Sequence, residues 1–494
     1  MRKECRFTWV SAAVIALALF LSITQERRIE AAANADVSGR VVTLDARGVM
    51  NAGIFMLFPS GEQRYARTNP FGYFRFQAVP TGQTLSFTIT HKRLGFAPQN
   101  ITVSGPADLL FTPVPTQTNF ALDPTFGAGG KVVTDMGAHD RALSVMAQAD
   151  GKIVAVGSST NRAAIARYNA DGSLDAAFGS GGKVVAQNVS LPADLNNKPG
   201  AIQPDGKVIV VGYNKAFDFV VERFDTGGVP DQSFGTGGIA TLDFGLGAPD
   251  VAKTVYVLPD GKILVAGTTQ LPGTNNALGL ARFNTDGSLD TTFGNMGRAI
   301  ADTPNLDDPK SVTVQPDGRV VVGCTQQSSR QMVVRFNEDG SLDTGFGTGG
   351  FAMPARSGMQ GYDVAVQRDG KILGMGEGLA RYNADGSPDA AFNGPFGAIG
   401  VQNSELQAVA VRADGLIIAG GRSFQIANTG GDFGLALIHP FTGALISRVE
   451  TDILDRKFED PKDIFVQPDG KILVAGYTAP ASLTDFAIVR YVNF

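Results

Sequence analysis

The residues from about 120 to the end of the chain repeat the same short phrases, and this repetition limits the available folds more than any other feature. An Asp-Gly pair opens an apolar run, as in DGKIVAVG, seven times at intervals of 45 to 57 residues. A period of this length indicates one supersecondary unit stacked many times. The pairs are Asp150-Gly151, Asp205-Gly206, Asp260-Gly261, Asp317-Gly318, Asp369-Gly370, Asp414-Gly415 and Asp469-Gly470.

Each repeat contains four strand-like runs, which in the first repeat are KVVTD (131–135), ALSVMAQ (142–148), KIVAVG (152–157) and AAIARY (163–168). The Asp-Gly pair lies between the second and third runs, where a two-residue hairpin turn favours it. Four antiparallel strands cannot bury both faces alone, so neighbouring units must stack, as blades of a propeller do. We therefore predict an all-β chain with a seven-bladed β-propeller over residues 120–494.

The two ends of the repeat region predict ring closure. The last repeat stops at Tyr491, where the other repeats continue into an LDxxFG phrase. A spare copy of that phrase, Leu122–Gly127, precedes the first repeat. We expect this copy to complete the last blade, because closure removes the exposed edge of an open array.

The motifs LDxxFGxGGKV, QPDGKILVAG and ARYNADGS resemble those of the delta-60 repeat family over about 120–494. The resemblance implies a β-propeller and no established reaction.

Residues 1–35 have the organisation of an export signal. Arg2, Lys3 and Arg6 precede a 14-residue apolar run, and Ala33-Asn34-Ala35 is a small-residue cleavage site. The run is shorter than the roughly 20 residues that span a bilayer. We expect export to the periplasm, cell surface or medium, with no membrane span in the mature chain; an uncleaved anchor is the alternative.

Residues 36–113 alternate short β-rich runs with turn residues, which predicts a small antiparallel β-sandwich. The stretches Val37–Val41, Thr68–Phe76 and Val79–Gly82 resemble carboxypeptidase regulatory-like (transthyretin-like) domains. That resemblance implies a non-catalytic spacer. Residues 114–119 (VPTQTN), with the preceding Thr-Pro pair, are expected to form a short stiff linker.

Composition excludes several functions. The formal net charge is -5 and the pI is about 5.4, whereas a nucleic-acid partner requires a basic face. Of the two cysteines, Cys5 lies in the signal and Cys324 in an apolar strand, so we expect a buried thiol and no disulfide. His91, His139 and His439 are scattered, and no metalloprotease, nucleophile-elbow or phosphate-loop motif occurs. We expect neither an enzyme nor a cofactor.

Two residue types recur once in most repeats and are expected to be architectural. A phenylalanine follows each LD or PD phrase and is interpreted as a wedge between blades, with a ring of ligand-stacking aromatics as the alternative. An arginine with an aspartate eight residues later is interpreted as a clamp between strand and crossover, with a cationic ligand-binding ring as the alternative. These residues are Phe126, Phe178, Phe234, Phe293, Phe346 and Phe392, and Arg167, Arg223, Arg282, Arg335, Arg381 and Arg490.

The NADGSLD phrase at 169–175 has closely spaced carboxylates but lacks the complete calcium-loop pattern. We expect an Asx-type turn, with Ca²⁺ binding as the alternative.

Departures from the repeat are interpreted as sequence drift under weak constraint, with a dedicated ligand site at these positions as the alternative. Ile438-His439-Pro440-Phe441 replaces the arginine phrase, and polar variable loops occur at Pro192–Gly200, Thr269–Asn276 and Gln326–Arg330. We predict a monomeric, exported binding scaffold whose variable loops engage a surface protein or a carbohydrate. The alternatives are a metal-dependent propeller hydrolase or lyase with its site in the central channel, and a purely structural surface protein.

Overall fold

The chain divides into two compact units, Met1–Pro115 and Thr116–Phe494. In this computed structural model every regular element of the described residues is a β-strand, and these residues contain no helix that could cross a membrane. The described residues are 33–115, 119–192, 196–245, 247, 249–270, 276–302, 308–326, 330–354, 361–376, 378–392, 405–423, 431–454, 457–479 and 483–493.

The N-terminal unit consists of two sheets, ordered β4-β1-β7 and β3-β2-β5-β6. Their inner faces share one apolar core, in which Phe87 of one sheet contacts Phe111 of the other at 5.6 Å between ring centroids. The strands are β1 (Asn34–Val41), β2 (Gly53–Leu57), β3 (Gln63–Arg67), β4 (Tyr73–Pro80), β5 (Gln83–Thr90), β6 (Gln99–Val103) and β7 (Ala107–Phe111).

Most of the predicted signal, residues 1–32, lies outside the described residues. Strand β1 begins at Asn34, and Ala35 pairs with Val79 of β4. Cleavage before Asp36 would therefore remove the first two residues of this strand.

The repeat region contains 28 of the described strands. They are β8 (Phe120–Leu122), β9 (Lys131–Thr134), β10 (Asp140–Ala147), β11 (Ile153–Ser159), β12 (Arg162–Tyr168), β13 (Lys183–Ser190), β14 (Gly200–Ile202), β15 (Val208–Tyr213), β16 (Phe219–Phe224), β17 (Ile239–Leu242), β18 (Val251–Val257), β19 (Ile263–Gln270), β20 (Asn276–Phe283), β21 (Arg298–Ala301), β22 (Asp308–Val314), β23 (Val320–Gln326), β24 (Arg330–Phe336), β25 (Phe351–Ala352), β26 (Asp363–Val366), β27 (Ile372–Met375), β28 (Leu379–Tyr382), β29 (Glu405–Val411), β30 (Ile417–Ser423), β31 (Asp432–Ile438), β32 (Leu445–Thr451), β33 (Phe458–Val466), β34 (Ile472–Ala479) and β35 (Asp485–Asn493).

Each sheet starts one strand later than the sequence analysis expected. The run 131–134 pairs with β35 of the last sheet, not with β10, and the first repeat instead forms the order β10-β11-β12-β13. The FG phrase explains this difference, because it returns the chain from the third strand to the outer edge of the same sheet. The strand before each Asp-Gly turn is thus the first strand of its sheet.

The first strands of successive sheets contact each other in chain order, and β33 contacts β10. The start of the repeat region completes the last sheet, since β8 and β9 both pair with β35. This closed arrangement of radial sheets is a β-propeller, and the first strands enclose its central channel.

Antiparallel pairing gives the propeller two distinct faces. The turn face carries the Asp-Gly turns and the connections that contain the arginine and FG phrases. The loop face carries the hairpins between second and third strands and the connections from one sheet to the next. Most of the repeated motif residues therefore lie on the turn face, and the described strands that flank the three variable loops end on the loop face.

The FG phenylalanines lie between neighbouring sheets on the turn face. Phe126 is fully buried, and a Cβ added to Gly172 of the next sheet would lie 2.9 Å from its ring and 2.9 Å from the amide nitrogen of Gly127. Gly228, Gly287, Gly340 and Gly386 are equally close to Phe178, Phe234, Phe293 and Phe346, within 3.1 Å.

We predict that Gly172→Ala destabilises the chain by about 1–3 kcal/mol more than Gly151→Ala does. Both glycines have a positive φ, 88° and 85°, so both substitutions carry backbone strain, but a Cβ at Gly151 meets no atom within 4 Å. Urea unfolding of both variants measures the difference. Equal midpoints would contradict the proposed crowding at Phe126.

Candidate functional site

The repeated arginines are bound to the repeated aspartates, and all but the half-buried Arg282 are buried. Arg167 Nε donates to Asp175 Oδ2 at 2.8 Å, and its guanidinium lies 4.4 Å above the ring of Phe178. The same arrangement occurs for Arg223–Asp231, Arg282–Asp290, Arg335–Asp343, Arg381–Asp389 and Arg490–Asp123, at 2.7 to 2.9 Å. We call each arginine with its aspartate and phenylalanine a staple.

Each staple also reaches the next sheet. Arg167 Nη1 donates to the carbonyl of Thr226 at 2.5 Å, and Arg490 closes the ring by donating to Ala170 at 2.5 Å. Where Ile438 replaces the arginine, the neighbouring Pro440 carbonyl accepts from Arg381. The other acceptors are the carbonyls of Thr285, Glu338 and Ala384.

Several staple aspartates have lowered pKa values. For Asp175 the main cause is the hydrogen bond from Lys152, opposed by burial. For Asp123, Asp231 and Asp290 burial alone would raise the pKa, but hydrogen bonds from Thr or Ser and from Lys outweigh it. The folded chain therefore favours the ionised form of these groups.

We predict that the stabilisation from these groups is complete and independent of pH above about pH 5, and that it is lost as the pH drops below about 4. Their folded pKa values lie below the unfolded value, so the unfolded chain binds more protons in this range. Urea midpoints between pH 7 and pH 3 test this. Asp231→Asn should reduce the acid-induced loss, and an unchanged profile in that variant would count against the prediction.

The Asp-Gly residues and the NADGS phrases form hydrogen-bonded turns. Asp150 Oδ1 accepts from the amide of Lys152 at 3.1 Å, and Asp171 Oδ1 accepts from the amide and hydroxyl of Ser173 at 2.9 and 2.7 Å. Asp205, Asp260, Asp317, Asp369, Asp414 and Asp469 repeat the first arrangement.

The central channel contains four lysines that the sequence analysis did not single out. Each lies seven residues before the aspartate of an Asp-Gly pair, and a β-bulge occurs at three of them. This constant spacing was the sequence signal that could have identified them. The bulge redirects the lysine side chain at these positions. The residues are Lys198, Lys253, Lys310 and Lys462.

Lys198 links three separate sheets. Its ammonium contacts Asp363 of β26 at 2.8 Å and Asp463 of β33 at 2.7 Å. The carboxylates are also held by the main chain, since Asp363 accepts from Val409 and Asp463 accepts from Val145. Burial opposes the charged ammonium, but the two aspartates raise the pKa of Lys198.

The other three lysines are paired as well. Lys253 and Lys310 both contact Asp308. Lys462 contacts Asp460 at 3.0 Å and the Gln407 side-chain oxygen at 2.7 Å. The channel therefore holds a network of ion pairs between lysines and aspartates.

We predict that Lys198→Met lowers the free energy of unfolding by about 3–5 kcal/mol, because it leaves Asp363 and Asp463 buried without their cation. Adding Asp463→Asn should restore part of this loss by removing one of the two charges. Urea unfolding of both variants provides the measurement. If the double variant is less stable than Lys198→Met, this account of the channel is wrong.

A cavity of about 900 Å³ opens beside the channel at the turn face. Its wall includes Val145, Met146, Val255 and Tyr256. Two polar lining residues bridge sheets, since the Gln148 and Gln203 amides donate to the carbonyls of Gly206 and Gly261. The wall of the cavity therefore combines apolar side chains with polar and charged groups, which include Asp150 and Lys152.

The loop face displays aromatic side chains. Tyr213 and Phe217, in the hairpin between β15 and β16, stack at 5.2 Å with an interplanar angle of 6°, and Phe217 is 47% exposed. Phe458 is 38% exposed beside Tyr477. The variable loops named from the sequence lie partly outside the described residues, at 193–195, 271–275 and 327–329.

The remaining single residues do not assemble into a site. Cys324 is fully buried, and His91 and His139 lie in different compact units. His439 lies in a turn with Phe441 and Thr442, and its Nδ1 hydrogen-bonds the Thr442 hydroxyl. Burial lowers the pKa of His439, and the positive charge of Arg381 lowers it further.

Comparisons with known proteins agree with the propeller architecture. The β-propeller domain of unknown function DUF5122 matches residues 148–178, 203–234, 258–293, 315–346, 367–392 and 467–491. No curated protein matches the chain.

Three solved structures resemble the chain at low sequence identity. A Dyadobacter fermentans protein of unknown function has 13% identity, covering 73% of this chain and 97% of that one, with a TM-score of 0.42. A Xanthomonas campestris gluconolactonase has 13% identity, 62% and 95% coverage and a TM-score of 0.36. A GH74 xyloglucanase of the same organism has 14% identity, 72% and 55% coverage and a TM-score of 0.41.

Proposed function

We propose that the chain is an exported, non-enzymatic binding scaffold that engages a carbohydrate through the loop face of its propeller. The observation that carries this proposal is the separation of roles between the faces. Staple residues occupy the turn face, whereas the loop face combines sequence variation with exposed aromatic rings.

The turn face is poorly suited to recognise a ligand through its repeated residues. Arg167, Arg223, Arg335, Arg381 and Arg490 are each at most 5% exposed and already bind a carboxylate and a carbonyl. A cationic ring that attracts anionic polymers needs accessible charge. The staples therefore favour a structural role.

The channel network weighs against the alternative of a metal-dependent hydrolase or lyase. Such an enzyme needs carboxylates that face an open coordination position. Here the ammonium of Lys198 lies between Asp363 and Asp463, and Asp308 contacts two lysines. A metal ion would have to displace these lysines to reach the same oxygens.

The paired rings of Tyr213 and Phe217 supply the surface for a sugar. A sugar ring presents apolar C–H groups on its faces and hydroxyls at its edge, so an exposed aromatic ring can cover one face. Beside these rings Asn214 Nδ2 donates to Asp218 Oδ2 at 2.9 Å, and the second carboxylate oxygen of Asp218 is a polar group for a sugar hydroxyl. A flat ring next to amide and carboxylate groups fits a saccharide.

Two further parts of the proposal concern architecture and location. The ring of inner strands from β10 to β33 supports seven blades, one for each Asp-Gly pair. We infer that residues 36–113 form a regulatory-like β-sandwich that acts as a spacer, and that residues 1–35 direct export.

We predict that Phe217→Ala weakens binding of the full-length chain to its polysaccharide by about tenfold or more. Depletion assays on a panel of insoluble polysaccharides identify the ligand, and titration with its soluble oligosaccharide gives the affinities. Phe71→Ala is the matched control, because Phe71 is also an exposed phenylalanine, at 68%, but lies in the N-terminal unit.

Equal losses in the two variants, with unchanged melting temperatures, would contradict the proposed surface. The chain could instead bind no polysaccharide but capture a purified surface protein, and lose that capture in Phe217→Ala. That result would support the loop face as the binding surface and would show that the ligand is a protein. Binding to neither ligand would leave the structural surface protein as the better account.

A further inference from the structure

Three acidic side chains meet at the loop face between the last two sheets. Asp432 is the first residue of β31, Asp452 follows β32, and Glu459 is the second residue of β33. One carboxylate oxygen from each residue lies within 4.8 Å of the other two. We call this group the Glu459 corner.

Glu459 has an oxygen that lacks a hydrogen-bond donor. The side chain is fully buried, and its Oε1 accepts from the amides of Ile453 and Leu454 at 2.7 and 2.8 Å. Its Oε2 is buried and has no hydrogen-bond partner among the described residues. A buried carboxylate oxygen without a partner is costly, so this oxygen indicates a missing ligand.

Two buried hydroxyls lie beside these carboxylates. Thr478 is directly opposite Glu459 in the β33–β34 ladder, and Ser423 is directly opposite Asp432 in the β30–β31 ladder. Directly opposed side chains project from the same side of a sheet, with Cβ atoms about 5 Å apart. Both residues are fully buried, and neither hydroxyl has a hydrogen-bond partner in the described part of the chain.

The charges at the corner repel each other. Burial raises the pKa of Asp432 to about 6, and the negative charges of Asp452 and Glu450 add to this effect. Burial raises the pKa of Glu459 to about 7. The two main-chain hydrogen bonds lower this pKa, and the negative charges of Asp452 and Asp432 raise it further. Lys131 reaches the corner but donates to the main-chain carbonyl of Asp452, at 2.6 Å.

The same arrangement occurs one sheet further on. Asp485 begins β35, Asp135 follows β9 and Asp140 begins β10, and their carboxylate oxygens also lie within 4.8 Å of one another. Asp140 is fully buried with an unpartnered Oδ1, and Lys183 donates to the Asp135 carbonyl at 2.5 Å as Lys131 does to Asp452. An acidic group of this kind therefore occurs at two successive sheet junctions.

We propose that Asp432, Asp452 and Glu459 bind a divalent cation of the calcium class, with the Thr478 and Ser423 hydroxyls as further oxygen donors. Oxygens that share a Ca²⁺ ion at about 2.4 Å cannot be more than about 4.8 Å apart, which the three carboxylates satisfy. The donor set contains only oxygen, which selects hard cations over zinc or copper. The proposal is independent of the carbohydrate ligand.

The test uses the full-length chain after EDTA treatment, at pH 7.5, with Ca²⁺ as the probe. We expect calorimetric heats of binding and a melting temperature higher by roughly 3–5 °C at a hundredfold excess over Kd. Glu459→Gln keeps the acceptor at Oε1 but removes the charge. It should lose the response to Ca²⁺ and melt above the wild type in EDTA.

Glu62→Gln is the control variant, because Glu62 is an exposed carboxylate paired with Arg64 in the N-terminal unit, and it should retain the full response. If Glu459→Gln fails to fold, Asp432→Asn takes its place and must also lose Ca²⁺ affinity. The proposal is wrong if Ca²⁺ gives neither heat nor a shift, or if both corner variants respond like the wild type. A wild-type stability that falls between pH 5 and pH 8 equally with and without Ca²⁺ would identify the corner as a proton site and also overturn the proposal.

Discussion

The propeller depends on the staple formed by a buried arginine, its aspartate and a phenylalanine. A sheet of four strands exposes two faces, so its stability comes from the neighbouring sheets. The guanidinium binds the aspartate in its own sheet and a carbonyl in the next, while the phenylalanine ring lies beneath the glycine of the next turn. One side-chain group thus fixes the connection within a sheet and the junction between sheets, and Arg490 repeats this across the closure of the ring.

Concentrating these contacts on the turn face leaves the loop face free to vary. Its connections need only to join strands that the staples already hold in place, so their sequences can diverge without loss of the fold. The channel adds a second constraint, because Lys198 ties β26 and β33 to the connection before β14. Staples thus join neighbouring sheets, and Lys198 joins sheets that are not neighbours.

The repeat period, the Asp-Gly turns and the spare LDxxFG phrase were sufficient to predict a propeller from the sequence. The boundary of each sheet was not predictable, because KVVT at 131–134 follows the FG phrase closely and looks like the first strand of a new unit. The channel lysines had a regular spacing, but their partners Asp363 and Asp463 lie in distant sheets. The Glu459 corner had no local motif at all, since its three carboxylates come from the ends of three strands in two sheets.

The Glu459 corner depends on the stability of the surrounding propeller. Buried carboxylates that repel each other and lack donors destabilise a fold, and they persist only where surrounding contacts hold them in place. Glu459 is the second residue of β33, which pairs along its length with β34, while the staple of Arg490 and Asp123 fixes the opposite end of the same sheet. The stable end of the sheet therefore maintains an acidic group at the variable end, where a bound cation would relieve the repulsion between the carboxylates.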